Sequence, residues 1–222
     1  MEFIVAVDGP AGSGKGTITK IVGEKENLIY IDTGALYRCV TLSMVRENVK
    51  LEDLEKIQKI LDTIDIEFKK EDDQKKIYLN GEDVSKEIRE SAVNKFVSQV
   101  SHVVIVRKAI TELSRKIAQG KQVIMEGRDI GTNVFPNADI KIYLDATPEE
   151  RAKRRQKQNE EKGINIPFEE IVENIKFRDN NDKTSPVAPL KQAEDAIYID
   201  SSDMTIEEVA EKVIEIINRK RR

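Results

Sequence analysis

A glycine-rich segment near the amino terminus constrains the fold more than any other part of the chain. Residues 9–17 read GPAGSGKGT, which contains the G-x-x-x-x-G-K pattern of a phosphate-binding loop, or P-loop. An apolar, β-type run precedes the segment, and a helical pattern begins at about Lys15. The glycines let backbone N–H groups converge on an anion, the helix N-terminus adds partial positive charge, and Lys15 adds a full charge. The predicted phosphate-binding residues are Gly9, Pro10, Ala11, Gly12, Ser13, Gly14, Lys15, Gly16 and Thr17.

The residue after the lysine departs from the commonest P-loop pattern. Gly16 stands where a serine or threonine usually supplies a hydroxyl to Mg²⁺, and Thr17 follows it. This argues against direct metal ligation by position 16, and we assign no residue of the chain as a metal ligand. Residues 180–183 read NNDK, which is not the Asn-Lys-x-Asp order of signalling GTPases. The ending G-K-G-T is instead typical of small kinases.

Short apolar runs alternate with helical patterns along the chain. Because the runs do not alternate polar and apolar residues, they indicate parallel strands that are covered on both faces. We predict an α/β fold, namely a P-loop NTPase-type five-stranded parallel sheet flanked by helices. Each run is followed by an acidic residue, and ligands of such sheets collect where the strands end. The runs occupy residues 3–7, 28–31, 122–125, 140–144 and 196–199.

One stretch interrupts this alternation. Residues 64–84 read as short antiparallel strands with a polar turn at residues 71–74, and Asn80-Gly81 is a strong signal for a hairpin turn. We therefore predict a small antiparallel β insertion. Elsewhere, Gly120 is expected to end a helix, and Thr205 with Glu208 forms a capping-box pattern.

The composition excludes several functional classes. The 222 residues include 37 basic and 41 acidic side chains, for a net charge of −4, which disfavours a general nucleic-acid binder. One cysteine and one histidine exclude a disulfide framework and a multi-histidine metal centre. No apolar run reaches the roughly 18 residues of a membrane span, and no basic leader precedes the first strand. We expect a cytoplasmic protein without nucleic-acid or membrane partners.

Two polar segments that follow apolar runs indicate a second anion site. Residues 32–38 read DTGALYR, where Thr33 is placed to hydrogen-bond a phosphate and Arg38 offers a bidentate fork. Helix capping is the alternative role for Asp32, and a single Asp-Thr-Gly copy in an α/β context argues against an aspartic protease. Residues 126–132 read EGRDIGT, in which glycines flank Arg128 and Asp129. A surface ion pair is the alternative for these two.

A basic helix indicates a lid. Arg151, Arg154 and Arg155 share one helix face, and the polar segment that follows contains Gly163. Such a helix and hairpin would close over a transferring phosphate. The alternative is a solvated helix face paired with neighbouring glutamates. These cations suit phosphoryl transfer between two nucleotides, which brings several negative charges together. That reaction requires positioning and positive charge rather than a covalent nucleophile or a separate general base.

The sequence resembles the nucleoside monophosphate kinases and, within them, the bacterial cytidylate kinases. The resemblance runs through essentially the whole chain. It rests on residues 8–17, 32–38, 98–100, 127–132, 142–146 and 187–190, together with Arg107. An enlarged nucleotide-monophosphate region in these kinases also matches the β insertion.

The resemblance implies an enzyme that uses ATP and Mg²⁺ to phosphorylate CMP or dCMP, giving CDP or dCDP and ADP. It implies that Arg38 and Arg128 hold the acceptor phosphate, and that Asp182 and Arg178 contact the sugar side. Cytosine would be read by Ser98, Arg107 and Asp129. The implied substrate-binding set is Thr33, Arg38, Ser98, Arg107, Arg128, Asp129, Arg178 and Asp182. The implied catalytic set is Lys15, Arg128, Arg151, Arg155 and Arg178, of which Arg151 and Arg155 belong to the lid.

The implied organisation is a single kinase unit. Its core spans residues 1–35, 101–150 and 184–222, with the strands ordered second, third, first, fourth, fifth. The nucleotide-monophosphate region spans about 36–100, including the β insertion at about 64–84, and the lid spans about 151–166. We expect a monomer whose partners are ATP, CMP and dCMP. Ser185 departs from the arginine common in this family.

Two alternatives to this function stay open. One is a P-loop kinase for another nucleotide or small metabolite. The other is a non-catalytic ATP-binding module, against which the arginines of the acceptor side argue.

Overall fold

The computed structural model describes residues 2–71, 74–161 and 163–222. Its strands are β1 (Phe3–Asp8), β2 (Ile29–Asp32), β3 (Ile66–Glu71), β4 (Gln74–Leu79), β5 (Glu82–Asp83), β6 (Gln122–Gly127), β7 (Ile140–Asp145) and β8 (Ile197–Asp200). Its α-helices are α1 (Lys15–Lys25), α2 (Thr33–Arg46), α3 (Leu54–Thr63), α4 (Ser91–Val100), α5 (Val104–Ala118), α6 (Pro148–Glu160), α7 (Phe168–Lys183) and α8 (Ile206–Arg221). A 3₁₀ turn spans Glu87–Arg89, and a π-helical turn spans Ile130–Val134.

The central sheet has the strand order β2-β6-β1-β7-β8. Strand β1 pairs in parallel with β6 and β7, and β7 pairs in parallel with β8. The central strand β1 is buried from Ile4 to Asp8, as expected for a strand covered on both faces. The predicted α/β fold and the predicted strand order are both confirmed.

Packing divides the chain into two compact units. The first consists of the residues up to Ile31 together with Ala118–Arg222, and its core includes Val5, Ile124 and Ile142. The second is Asp32–Ile117, with its own core of side chains from α2 to α5 and the small sheet. The division into core, nucleotide-monophosphate region and lid stays a prediction, because it refers to function rather than to packing.

The predicted β insertion is an antiparallel three-stranded sheet, ordered β3-β4-β5. Ile66 lies opposite Leu79. Asn80 and Gly81 join β4 to β5 with φ angles of 50° and 83°, which is the left-handed backbone that a two-residue hairpin turn requires. Asp72 and Asp73, in the predicted polar turn, lie outside the described residues.

The helix ends follow the local sequence signals. Thr205 and Glu208 form the predicted capping box of α8, and Gly120 has a φ of 71° just beyond α5. Thr147 caps α6 by accepting from the Glu150 N–H. Among the helices that the structure describes, none is long and apolar enough to cross a lipid bilayer.

Candidate active site

The phosphate loop connects β1 to α1 and depends on three glycines with positive φ. Gly9, Gly12 and Gly14 have φ angles of 148°, 81° and 94°. Gly9 is the most constrained, because a Cβ there would lie 2.0 Å from the Leu144 carbonyl oxygen. The close packing of the loop on β7 therefore excludes any side chain at position 9.

Replacing Gly9 with alanine is expected to destabilise the fold by more than about 3 kcal/mol, because the new methyl group collides with fixed backbone. Gly120→Ala is the matched control, since its φ of 71° is also positive but a Cβ there meets nothing within 4 Å. That control is expected to cost only about 1 kcal/mol. Urea unfolding of both variants measures the difference, and equal losses would contradict the steric explanation.

Lys15 lies buried at the start of α1, folded back onto the loop. Its Nζ donates to Gly9 O at 2.8 Å, to Pro10 O at 2.7 Å and to Ser13 Oγ at 3.3 Å. Burial first, and repulsion by Arg128 second, lower the pKa of this ammonium to about 7. The loop thus carries a cation that an incoming polyanion would stabilise.

Side chains from outside the loop hold two of its carbonyl groups. Arg151 Nη1 donates to Ala11 O at 3.0 Å, and Arg154 Nη1 donates to Ser13 O at 3.2 Å. Ser201 Oγ also donates to Ser13 O, at 3.3 Å. In a trans peptide the C=O and the following N–H point in opposite directions. Holding these carbonyls therefore directs the N–H groups of the next residues, both glycines, to the other side of the loop.

The arginines of α6 that the sequence assigns to a lid have different surroundings. Arg151 is buried at the base of the helix, where both terminal nitrogens pair with Asp179 on α7 and Nε donates to Ala146 O at 2.9 Å. Arg155 is exposed on the same helix. Arg154, which the implied catalytic set omits, contacts the loop directly.

Part of the predicted acceptor set lies in the first unit. Arg128 Nε donates to Asp182 Oδ2 at 2.9 Å, which joins the loop after β6 to α7. Asp129 is buried and accepts from Asn133 Nδ2 at 2.9 Å. Arg178 is exposed on α7, and its charge contributes to lowering the pKa of Lys15. The structure thus places cations from two separate segments, Arg128 after β6 and Arg178 on α7, close enough to act on Lys15.

The remaining predicted acceptor residues lie in the second unit. Thr33 is the buried first residue of α2, while Arg38 Nη1 donates to Ile88 O at 2.9 Å and to Asn94 Oδ1 at 2.6 Å. Arg107 Nε donates to Ser101 O at 3.1 Å, and its guanidinium lies 5.5 Å from the centre of the Tyr37 ring. These contacts fix the orientation of two predicted phosphate and base ligands.

Two local links complete this part of the second unit. Ser98 is tied to the Arg107 contact through Ser101, whose Oγ donates to Ser98 O at 2.7 Å. The Asp32 side chain accepts from the Ala35 N–H at 3.1 Å, so the capping role considered for Asp32 is confirmed.

Two acidic residues of the first unit belong to the site although the predicted site residues omit them. Asp8 accepts from the Ile130 and Gly131 N–H groups at 2.7 Å each, and burial raises its pKa to about 6. It thereby joins β1 to the turn that follows Arg128. The sequence does show an acidic residue after each apolar run, and Asp8 is one of them. No sequence pattern indicates that Asp8 accepts from the N–H groups of Ile130 and Gly131.

The second of these acids lies beside the glycine that follows Lys15. Glu126 accepts from the Tyr30 hydroxyl at 2.5 Å. A Cβ on Gly16 would lie 3.0 Å from Glu126 Oε1, so the serine or threonine of the common pattern would press on this carboxylate.

A phosphate loop at the carboxyl end of a parallel strand, surrounded by arginines, defines a P-loop phosphotransferase. The chain belongs to the cytidylate kinase family, whose model, "Cytidylate kinase", matches residues 5–219.

The chain matches curated relatives in sequence over nearly their whole lengths. The chain is 44% identical over 221 residues to a cytidylate kinase from Bacillus subtilis (strain 168), covering 100% of this chain and 99% of that protein. It is 46% identical over 212 residues to a cytidylate kinase from Caldicellulosiruptor bescii, covering 96% of this chain and 94% of that protein. A shikimate kinase structure from Bacteroides thetaiotaomicron superposes with a TM-score of 0.50 at 11% identity, covering 98% of this chain and 99% of that one, and supports the fold alone.

Proposed function

We propose that this protein transfers the γ-phosphoryl group of ATP to CMP or dCMP, producing ADP and CDP or dCDP. Membership of the cytidylate kinase family supports the reaction. The observation that carries the mechanism is the buried Lys15 ammonium, which lies inside a glycine loop and is surrounded by arginine charge. This arrangement suits a reaction whose difficulty is bringing several negative charges together.

On the donor side, residues 9–17 would hold the ATP phosphates. The backbone N–H groups that follow the held carbonyls of Ala11 and Ser13 would donate to phosphate oxygens. Lys15 would turn its Nζ from the loop carbonyls to the β- and γ-phosphates, exchanging neutral acceptors for anionic ones.

Mg²⁺ would enter with ATP. Among the described residues, no group of three or more His, Cys, Asp or Glu side chains would hold a metal ion. Oxygen donors at the loop include the exposed Thr17 and the Glu126 carboxylate beside Gly16. This sparse set fits Mg²⁺, which usually keeps waters and binds substrate phosphates with one or two protein ligands. The ion would neutralise charge on the phosphates.

On the acceptor side, Arg38 and Arg128 would bind the monophosphate, while Ser98, Arg107 and Asp129 would read cytosine. Asp182 would accept from the sugar hydroxyls, next to Arg178. A CMP phosphate oxygen attacks the γ-phosphorus in line, the bond from that phosphorus to the bridging oxygen breaks, and the electron pair leaves with ADP. The attacking oxygen is already ionised, so no general base is needed. Arg155, in the proposed lid at residues 151–166, would screen the transferring group.

A panel of acceptors tests the proposed function. ADP release with ATP and Mg²⁺ is measured across CMP, dCMP, UMP, AMP and GMP. We expect kcat/KM to be highest for CMP or dCMP. Preference for AMP or GMP would contradict the acceptor assignment, and ATP binding without transfer to any monophosphate would favour a non-catalytic module.

ATP binding is expected to take up protons at pH 8. With a pKa of about 7 in the free protein, Lys15 is mostly neutral at pH 8, and contact with phosphate restores its charge. Calorimetry in two buffers of different ionisation enthalpy should give an uptake close to one proton per ATP·Mg²⁺. Lys15→Arg is the control, because a guanidinium is already charged, and its uptake should be near zero. Wild-type binding without proton uptake would show that Lys15 is charged beforehand.

A further inference from the structure

Arg151 lies at a junction between the phosphate loop and α7. Its Nη1 donates both to Ala11 O, at 3.0 Å, and to Asp179 Oδ1, at 2.9 Å, while Nη2 pairs with Asp179 Oδ2. Its Nε donates to Ala146 O beyond the end of β7, at 2.9 Å. Only 2% of the Arg151 side chain is exposed, so water does not screen these contacts.

The two partners of Arg151 lead to opposite halves of the proposed reaction. Ala11 belongs to the proposed donor loop, and its carbonyl shares a peptide group with the Gly12 N–H. Asp179 lies on α7 between Arg178 and Asp182, and Asp182 accepts from Arg128. One planar guanidinium therefore connects the donor loop to the helix that carries proposed acceptor residues.

This connection has a physical basis for transmitting ligand binding. A phosphate that accepts from the Gly12 N–H polarises the peptide and makes Ala11 O a stronger acceptor. The stronger hydrogen bond draws Arg151 Nη1 towards the loop. Because the guanidinium is planar and rigid, the same shift changes its contacts with Asp179 and therefore acts on α7. A buried ion pair of this kind adds little net stability over apolar side chains, so its value lies in the geometry that it fixes.

We propose that Arg151 is a positioning residue that couples the two nucleotide sites, so that donor and acceptor bind with positive cooperativity. The inference rests on the proposed function, and it gives Arg151 a different role from that of a lid residue on the transferring phosphate. By linkage, the donor must raise acceptor affinity by the same factor by which the acceptor raises donor affinity.

Calorimetric titration of CMP, with and without a non-hydrolysable ATP analogue and Mg²⁺, tests the inference. In the wild type we expect the analogue to tighten CMP binding about fivefold or more. In Arg151→Gln and in Asp179→Asn, the dissociation constants of CMP with and without the analogue should agree to within about twofold. The double variant should lose no more of the coupling between the two nucleotides than either single variant. It also leaves no unpaired buried charge that would prevent folding.

Lys176→Ala is the matched control. Lys176 Nζ lies 3.0 Å from Glu149 Oε1, so it also joins α7 to α6, but both side chains are exposed. This variant should keep the full wild-type ratio. A variant of Arg151 that weakens both nucleotides yet keeps the ratio would show a merely structural role and overturn the inference, as would a wild-type ratio of one. Failure of the wild type to bind CMP at all would instead contradict the proposed function, and the inference with it.

Discussion

Replacing Lys15 with alanine is expected to lower kcat about 10³-fold, or about 4 kcal/mol of transition-state stabilisation. The variant loses the full positive charge of the loop, and it also loses the bonds that fasten the loop through Gly9 O and Pro10 O. Initial rates of ADP formation at saturating ATP and CMP measure the effect.

Two further variants separate charge from packing in this experiment. Lys15→Met keeps most of the aliphatic stem and should lose nearly as much rate as the alanine variant. Lys20→Ala, on the exposed side of α1, should stay within about twofold of the wild type. If Lys15→Ala kept kcat within about fivefold, the role assigned to this ammonium would be wrong.

Arg128→Ala is expected to lower kcat/KM for CMP by about 10²–10³-fold, since truncating one partner of a hydrogen-bonded charge pair typically costs 2–5 kcal/mol. The variant removes a proposed phosphate ligand and leaves Asp182 without the bond from Arg128 Nε. Because Arg128 lowers the pKa of Lys15, its removal should raise that pKa. The KM for ATP at pH 8 should therefore be unchanged or lower.

The conservative variant refines this second test. Arg128→Lys keeps the charge without the planar fork, so a partial recovery of CMP kinetics is expected. Lys121→Ala, exposed before β6, is the surface control. Unchanged CMP kinetics in Arg128→Ala would remove Arg128 from the acceptor site, and an equal rise in both KM values would indicate general damage.

Local sequence signals were sufficient for the strands of the central sheet. Each apolar run became a strand whose ends lie within two residues of the prediction, because buried parallel strands need near-continuous apolar side chains. The order of the strands came only from the family resemblance, since an apolar run does not encode which neighbour it pairs with. Asn80-Gly81 differs from the apolar runs, because this dipeptide alone indicates which strands pair. Its positive φ angles form the turn that brings β4 and β5 together.

The candidate site was predictable in residue type but not in contacts. The spacing of Arg151, Arg154 and Arg155 correctly suggests a shared helix face, yet long side chains on one face reach different partners. Arg151 turns to the loop and Asp179, whereas Arg155 lies in solvent. Which partner each side chain meets depends on how α6, α7 and the loop approach one another, and that information is not local.

The stereochemical course at phosphorus tests the central claim most directly, because the claim is a single in-line transfer between two bound nucleotides. ATP made chiral at the γ-phosphorus with three oxygen isotopes is reacted with CMP, and the configuration of the transferred group in CDP is determined. The mechanism predicts inversion. Retention would mean that the group passes through a phosphorylated side chain, and would contradict direct transfer.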